Sequence, residues 1–324
     1  MPKVQHKIID PTRFPPAIFL MGPTASGKSN IAMEIAKHLP VELVSVDSAQ
    51  VYRHMDIGTA KPDKTSLEQI PHHLINLIEP TERYSAAQFR SDALDTMNQI
   101  TKRGKIPLLV GGTMLYFRAL QDGLSILPPA NENLRMTLDN QAKEHGWPVM
   151  HQKLNELDPT TAARIKPTDS QRIQRALEIY YLTDKPMSEI LKLPKIVDLP
   201  FHITKIALVP SDRKLLHQQI ARRFQEMIKQ GLIDEVKIIR KKFQLTAESP
   251  SMRCVGYRQV WLYLDNEINL TELQAMGIAA TRQLAKRQLT WLRSMRNNKL
   301  KEFDCLATDV PEQVQAFLQE SGLE

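Results

Sequence analysis

The stretch Gly22-Pro23-Thr24-Ala25-Ser26-Gly27-Lys28-Ser29 satisfies G-x-x-x-x-G-K-[ST] at every fixed position. Each residue type answers a demand of phosphate chemistry. The glycines let the backbone turn tightly enough for successive N–H groups to converge on phosphate oxygens, and a helix starting there adds about half a positive charge. Lys28 is suited to bridge phosphates, and the Ser29 hydroxyl to hold Mg²⁺. Asp47 closes a second apolar run and stands where an open α/β sheet turns its strand ends toward ligand. There it can hold a metal, accept a proton or cap the next turn of the chain. Ile106-Pro-Leu-Leu-Val-Gly-Gly-Thr113 brings two glycines and a hydroxyl to another strand end, where an ATPase more often shows an acid. Pro71-His72-His73 could suggest a metal, but adjacent histidines point opposite ways on a strand and read as surface or packing residues.

Three basic segments lie further along. In Gln171-Arg172-Ile173-Gln174-Arg175 the arginines are three apart and share a helix face that reads as solvent-directed. In Arg253-Cys254-Val255-Gly256-Tyr257-Arg258 a glycine separates two arginines, which suits close approach to an anion. On a long helical pattern Arg282, Lys286 and Arg293 form one stripe, opposite Leu273, Leu284, Trp291 and Met295.

These residues need a scaffold, and the apolar runs supply one. Residues 17–21, 41–46, 74–78, 106–110 and 201–209 read as buried parallel strands, the first followed at once by helical spacing at Ile31, Ile35 and Leu39. The fifth run arrives only after helical patterns at 133–145, 149–157 and 170–183, so residues 123–200 read as a helical insertion with Pro128, Pro129 and Pro194 near its edges. Further helices are expected at 213–230, 232–242, 255–264 and 271–296, then a short acidic tail helix. The expected class is α/β: a P-loop NTPase-like parallel sheet core over 1–122, the insertion over 123–200, and core completion with basic C-terminal helices over 201–324.

Composition narrows the function. With 42% hydrophobic and 24% charged residues in 324, the chain is ordinary globular material. No apolar run approaches the roughly 20 residues of a membrane span, and residues 1–16 are polar and proline-broken, so the expected location is the cytoplasm. Two cysteines, Cys254 and Cys305, exclude a disulfide framework or a Cys-rich zinc module. The net charge of +7 is unevenly spread: residues 201–300 carry 18 Lys and Arg against 8 Asp and Glu, a net of +10. A concentrated positive field of this kind suits a polyanion.

Motifs running in order from about 17 to 296 resemble the bacterial tRNA dimethylallyltransferases. They are the phosphate loop, Val-Asp-Ser-Ala-Gln-Val-Tyr (46–52), Met-Asp-Ile-Gly-Thr-Ala-Lys-Pro (55–62), Pro-His-His-Leu (71–74), Val-Gly-Gly-Thr-Met-Leu-Tyr (110–116), Gln-Arg-Ile-Gln-Arg-Ala-Leu-Glu (171–178), Arg-Cys-Val-Gly-Tyr-Arg-Gln (253–259) and Thr-Arg-Gln-Leu-Ala-Lys-Arg-Gln-Leu-Thr-Trp-Leu-Arg (281–293). Ser29 departs from the threonine of many relatives but keeps the hydroxyl, and Gln50 stands where an aliphatic residue is common.

The resemblance implies transfer of a dimethylallyl group from dimethylallyl diphosphate to N6 of the adenosine just 3′ of a tRNA anticodon, by a monomer using Mg²⁺. By similarity Asp47 accepts the N6 proton, while Thr24, Thr113 and Arg253 position the diphosphate or the amine. The RNA would be held by Asp47, Ser48, Ala49 and Gln50, by Thr113, by Gln171 to Arg175 and by Arg253 to Arg258. Lys286, Arg287, Gln288, Leu289, Thr290, Trp291, Leu292 and Arg293 complete that set, with the insertion closing over the anticodon stem. Read without the resemblance, the same loop also serves a small-molecule kinase, a regulatory NTPase or, with its basic half alone, an RNA-binding protein.

Overall fold

The computed structural model describes residues 14–195, 197–296 and 299–323. The chain divides into two units, one taking it up to Leu120 and again from Leu199, the other being Gln121–Asp198. The insertion expected at 123–200 thus begins and ends two residues earlier.

Among the described residues the first unit holds six strands: β1 (Pro16–Met21), β2 (Val41–Val46), β3 (His72–His73), β4 (Ile106–Gly111), β5 (His202–Val209) and β6 (Leu300–Asp304). All pair in parallel, in the order β3-β2-β4-β1-β5-β6. Its helices are α1 (Lys28–His38), α2 (Lys64–Gln69), α3 (Ala86–Lys102) and α4 (Met114–Asp122), the last running past the unit's edge. The second unit carries α5 (Glu132–His145), α6 (Trp147–Leu157), α7 (Pro159–Ala162), α8 (Ser170–Thr183) and α9 (Met187–Ile190). The first resumes with α10 (Arg213–Lys229), α11 (Leu232–Lys242), α12 (Tyr257–Leu264), α13 (Leu270–Ser294) and α14 (Val310–Glu320). No described helix is long and apolar enough to cross a membrane.

β1 is an unbroken apolar run because both faces of the sheet are covered. Ala17, Phe19 and Met21 face side chains of α3, α4, α10 and α13, while Ile18 and Leu20 face α1 and α14. Phe19 meets Phe117 at 5.1 Å between ring centroids, and burying one such ring stabilises by about 1.5–3 kcal/mol. Register then decides where the chemistry goes. Met21 is level with Gly111 and Ala207, and Gly111 with Val46. One step further on, Gly22, Gly112 and Asp47 leave the sheet at the same carboxyl edge, on neighbouring strands about 5 Å apart.

Two strands differ from expectation. Of the third, expected at 74–78, only Ile78 pairs, in an isolated bridge with Tyr52, and the strand itself is His72–His73, paired with Leu43 and Val44. Leu74 and Asn76 take left-handed backbone (φ 60° and 55°), which a strand does not accommodate. The histidines hold this edge: His72 Nδ1 lies 2.8 Å from Ile70 O, and His73 Nε2 lies 2.7 Å from Glu42, which also accepts two bonds from Arg103. β6 lies outside the expected set because Leu300-Lys-Glu-Phe-Asp304 looks polar. It is an edge strand with only Phe303 buried, and charge on such an edge blocks pairing with a second chain.

The second unit has its own core, with Leu138, Met150, Leu154, Ile173 and Leu177 at its centre. Glu178 is fully buried there. Arg135 grips it through two bonds (2.8 and 3.0 Å), Arg175 adds one (2.5 Å) and the Asn131 N–H another (2.8 Å). A carboxylate left unpaired at that depth would cost several kcal/mol, so Arg135 and Arg175 are needed where they are.

Candidate active site

The loop from β1 to α1 has the shape its glycines require. Ala25 (φ 63°) and Gly27 (φ 74°) are left-handed, and alternation of left- and right-handed residues makes a concave nest of N–H groups. A Cβ at Gly22 would sit 2.7 Å from Ser26 Oγ and 3.1 Å from Leu208 O, so only glycine lets the loop close against β5. Ser26 Oγ is buried with no hydrogen-bond partner among the described residues. Lys28 Nζ donates to Pro23 O (2.6 Å), folded back over the loop. Burial, then the charge of Arg223, pulls its pKa from 10.5 down to about 8, against the opposing pull of Asp47.

Asp47 directly follows β2 and is half-buried. Its Oδ1 accepts the N–H of Ala49 (2.8 Å), so it caps the turn after the strand with one oxygen and keeps the other. Its charge acts on Lys28, Arg223, Cys254 and Tyr116, so two cations, a half-buried thiol and a buried phenol lie within the field of one carboxylate. Cys254 is pushed up to about 12 by burial and then by Asp47, so it stays a thiol. Thr113 closes the third side: its Oγ1 accepts the N–H of Ser48 (3.0 Å), and its own N–H donates to Val46 O (3.1 Å). Arg253 ends a short 3-10 turn, exposed and paired with Glu248 at 2.7 Å.

Arg223 is absent from the expected set. It is exposed on α10, yet ringed by enough protein that desolvation lowers its pKa while Asp47 opposes the shift, as on a cleft wall. Its signal was positional: it directly precedes buried Phe224 and follows buried Ile220 by three, so it flanks the core-facing stripe.

The segment after Asp47 is pinned rather than loose. Glu235 accepts the N–H groups of Asp56, Ile57 and Gly58 (2.9, 2.7 and 3.3 Å) and the hydroxyl of Tyr257 (2.5 Å). Lys61 donates to Tyr52 O, Asp56 and Asn76. Gln50 accepts from Ser45 and donates to Thr59 O and Ala60 O, so its side chain holds the loop closed and is not offered to RNA.

As for a metal, no group of three or more His, Cys, Asp or Glu converges among the described residues. Ser29 is exposed in the first turn of α1. One hydroxyl, completed by phosphate oxygens and water, is a donor set that Mg²⁺ accepts, so the site fits an ion arriving with a diphosphate.

A family model described as IPP transferase matches residues 50–295, and one described as isopentenyl transferase matches 16–79. The chain belongs to the IPP transferase family. It is 63% identical over 310 residues to a tRNA dimethylallyltransferase of Nitrosospira multiformis, covering 96% of this chain and 95% of that one. It is 60% identical to that of Nitrosomonas europaea, over 95% and 97%. Among solved structures it is similar to a tRNA isopentenylpyrophosphate transferase of Bacillus halodurans (TM-score 0.67, 34% identity, 95% and 98% covered). A eukaryotic dimethylallyltransferase captured acting on tRNA gives TM-score 0.78 at 26% identity, with 95% and 79% covered.

Within this IPP transferase the segments expected to meet RNA divide by burial. Ser48, Gln171, Arg172, Arg253, Arg258, Lys286, Arg287, Thr290 and Arg293 are exposed. Ile173, Tyr257, Leu289 and Leu292 are buried and hold their helices to the cores, so their side chains do not reach a ligand. The half-buried Arg175 is committed to Glu178 and Pro128 O (2.7 Å), and Gln174 to Asp139 (2.6 Å), which corrects the solvent-directed reading of that face. Cys254 and Val255 are half-buried, and the buried Gly256 (φ 93°) precedes α12, which starts at Tyr257, two residues later than expected. Trp291 lies under Arg118, 5.7 Å from its ring centre. Gln288 is buried and turned inward. Arg293, Arg213 and Arg296 line a cavity of about 140 Å³ beside Pro210 and Glu302.

Proposed function

We propose that this protein transfers a dimethylallyl group from dimethylallyl diphosphate to N6 of the adenosine immediately 3′ of a tRNA anticodon, releasing diphosphate. The observation that carries the reading is Asp47 at a strand end beside a phosphate loop, with Lys28 and Arg223 under its charge, in a chain this close to tRNA dimethylallyltransferases. The similarity to the Nitrosospira multiformis enzyme covers 96% of this chain and 95% of that one, and the groups the chemistry needs are present here.

In the reaction the allylic C–O bond breaks, an N6–C bond forms, and the N6 proton leaves. Charge grows on the diphosphate as the C–O bond opens, so loop N–H groups, Lys28 and Arg223 stabilise the transition state more than the ground state. Asp47 takes the proton on the oxygen not bonded to Ala49, a role typically worth about 10²–10⁴ in rate. Thr24, Thr113 and Arg253 orient the diphosphate and the amine. Mg²⁺, when bound with the diphosphate at Ser29, neutralises leaving-group charge. The adenine must leave its stack to reach Asp47, and the exposed basic residues of α13 track the phosphates beside it. The protein would act as a monomer in the cytoplasm, where its tRNA is.

The deciding experiment incubates the purified protein and Mg²⁺ with unmodified tRNA and either labelled dimethylallyl diphosphate or labelled ATP. Label moving from the prenyl donor into tRNA is the expected result. ATP turnover to ADP with no prenyl transfer would make the protein a kinase or NTPase instead.

A further inference from the structure

Gln288 sits on the same helix as Arg282, Lys286 and Arg293 but faces inward and is buried. Its Oε1 accepts the N–H of Thr24 in the phosphate loop (2.8 Å), and its Nε2 donates to the carbonyl of Gly112 (3.0 Å). Those partners belong to the ends of two adjacent strands, β1 and β4. Gly112 immediately precedes Thr113, whose hydroxyl holds the N–H of Ser48 next to Asp47. One primary amide therefore connects the phosphate loop, through Gly112, Thr113 and Ser48, to the strand end that carries Asp47. Space for it depends on the missing side chain of Gly112: a Cβ there would overlap Gln288 Nε2.

We infer that Gln288 is a positioning residue that sets the phosphate loop and the Asp47 segment at a fixed spacing, rather than a contact to RNA. Two properties single it out. The amide is the one neutral side-chain group that offers an acceptor and a donor from the same planar end, as Thr24 N–H and Gly112 O together require. It also comes from the helix that carries the basic stripe, so the spacing of the two loops is referred to the same element that would meet the polyanion. What the loops bind rests on the proposed function, but binding of inorganic diphosphate can be measured without any prenyl transfer.

The test compares Gln288→Met, which keeps length and loses both bonds, with Gly112→Ala, which leaves Gln288 in place and pushes its amide aside. Inorganic diphosphate binding and tRNA binding are measured for each, with turnover at saturating substrates. Both variants should bind diphosphate about tenfold more weakly, since two buried bonds are lost and their backbone partners are left unsatisfied. Turnover at saturation should also fall, because a loosened loop misplaces the leaving group relative to Asp47. tRNA affinity should stay within about threefold. The decisive readout is the double variant. If one contact carries both effects, Gly112→Ala should change diphosphate binding less than about twofold once Gln288 is Met. Additive effects, or a loss of tRNA affinity with diphosphate binding intact, would overturn the inference. Lower thermal stability with unchanged binding and turnover would also overturn it, since that is what a purely structural bond predicts.

Discussion

Raising the pH from 7.5 to 9 should weaken diphosphate binding, because the lysine of the phosphate loop gives up its proton within that range. Burial and Arg223 lower the pKa of Lys28 to about 8, despite Asp47. If only the ammonium form grips phosphate, the apparent Kd scales with the protonated fraction, which falls from about three-quarters at pH 7.5 to about one-tenth at pH 9. The expected loss is therefore roughly eightfold. The titration uses dimethylallyl diphosphate rather than inorganic diphosphate: an esterified phosphoryl group completes its ionisation near pH 6, so the ligand's charge is already settled across this window. The sign of the stability effect separates binding from unfolding. A lysine whose folded pKa lies below its unfolded value makes the fold more stable, not less, as pH rises from 8 to 10.5. Calorimetric titration in two buffers of different ionisation enthalpy should show uptake of about half a proton per diphosphate bound at pH 8. Lys28→Arg should flatten the profile, because a guanidinium stays charged throughout. Arg223→Ala should move the midpoint upward by removing a like charge. An affinity flat between pH 7.5 and 9, with no proton uptake, would refute the assignment of Lys28 as a desolvated, titrating phosphate ligand.

Three other perturbations probe the remaining parts. Asp47→Ala should lower turnover by about 10²-fold or more and leave tRNA affinity within a few fold; collapse of affinity with surviving turnover on bound tRNA would make Asp47 a binding residue. Lys286→Ala and Arg293→Ala should each weaken all tRNAs alike and flatten the log–log salt dependence by a bit under one unit, read by fluorescence anisotropy across a salt series. Unchanged slopes in both would leave the stripe as a solvated helix face. Glu235→Ala strands three loop N–H groups and the Tyr257 hydroxyl, so thermal unfolding should show a loss of about 2–4 kcal/mol. Retained stability would mean that water replaces the carboxylate.

Much of the site was legible because its signals are local. A phosphate loop depends on residue types at fixed spacing within eight positions, and a buried parallel strand is an uninterrupted apolar run. Asp47 and Thr113 could be placed by their positions after such runs, since every strand of a parallel sheet ends on the same edge. The third strand misled because Leu74 and Asn76 are left-handed and break the ladder, leaving Ile78 to make only an isolated bridge with Tyr52 while the apolar residues pack into the cores. β6 was hidden for the opposite reason: an edge strand buries so little that its sequence resembles a loop.

The candidate reactive groups of the phosphate loop, Asp47 and Thr113, and the strands that end beside them, could be read from the order of amino acids alone. That order did not separate the residues of one motif by the direction they face. Within Lys286 to Arg293, Lys286 and Arg293 are exposed while Leu289 and Leu292 fill the core and Gln288 ties two loops together. Within Gln171 to Arg175, Arg172 is exposed and Arg175 compensates a buried carboxylate. Arg223, Glu235 and Gln288 gained their roles only through partners far away in the chain. A hydrogen bond or a Coulomb interaction acts through a few ångströms of space, and no local pattern records which distant residue the fold will bring within that reach.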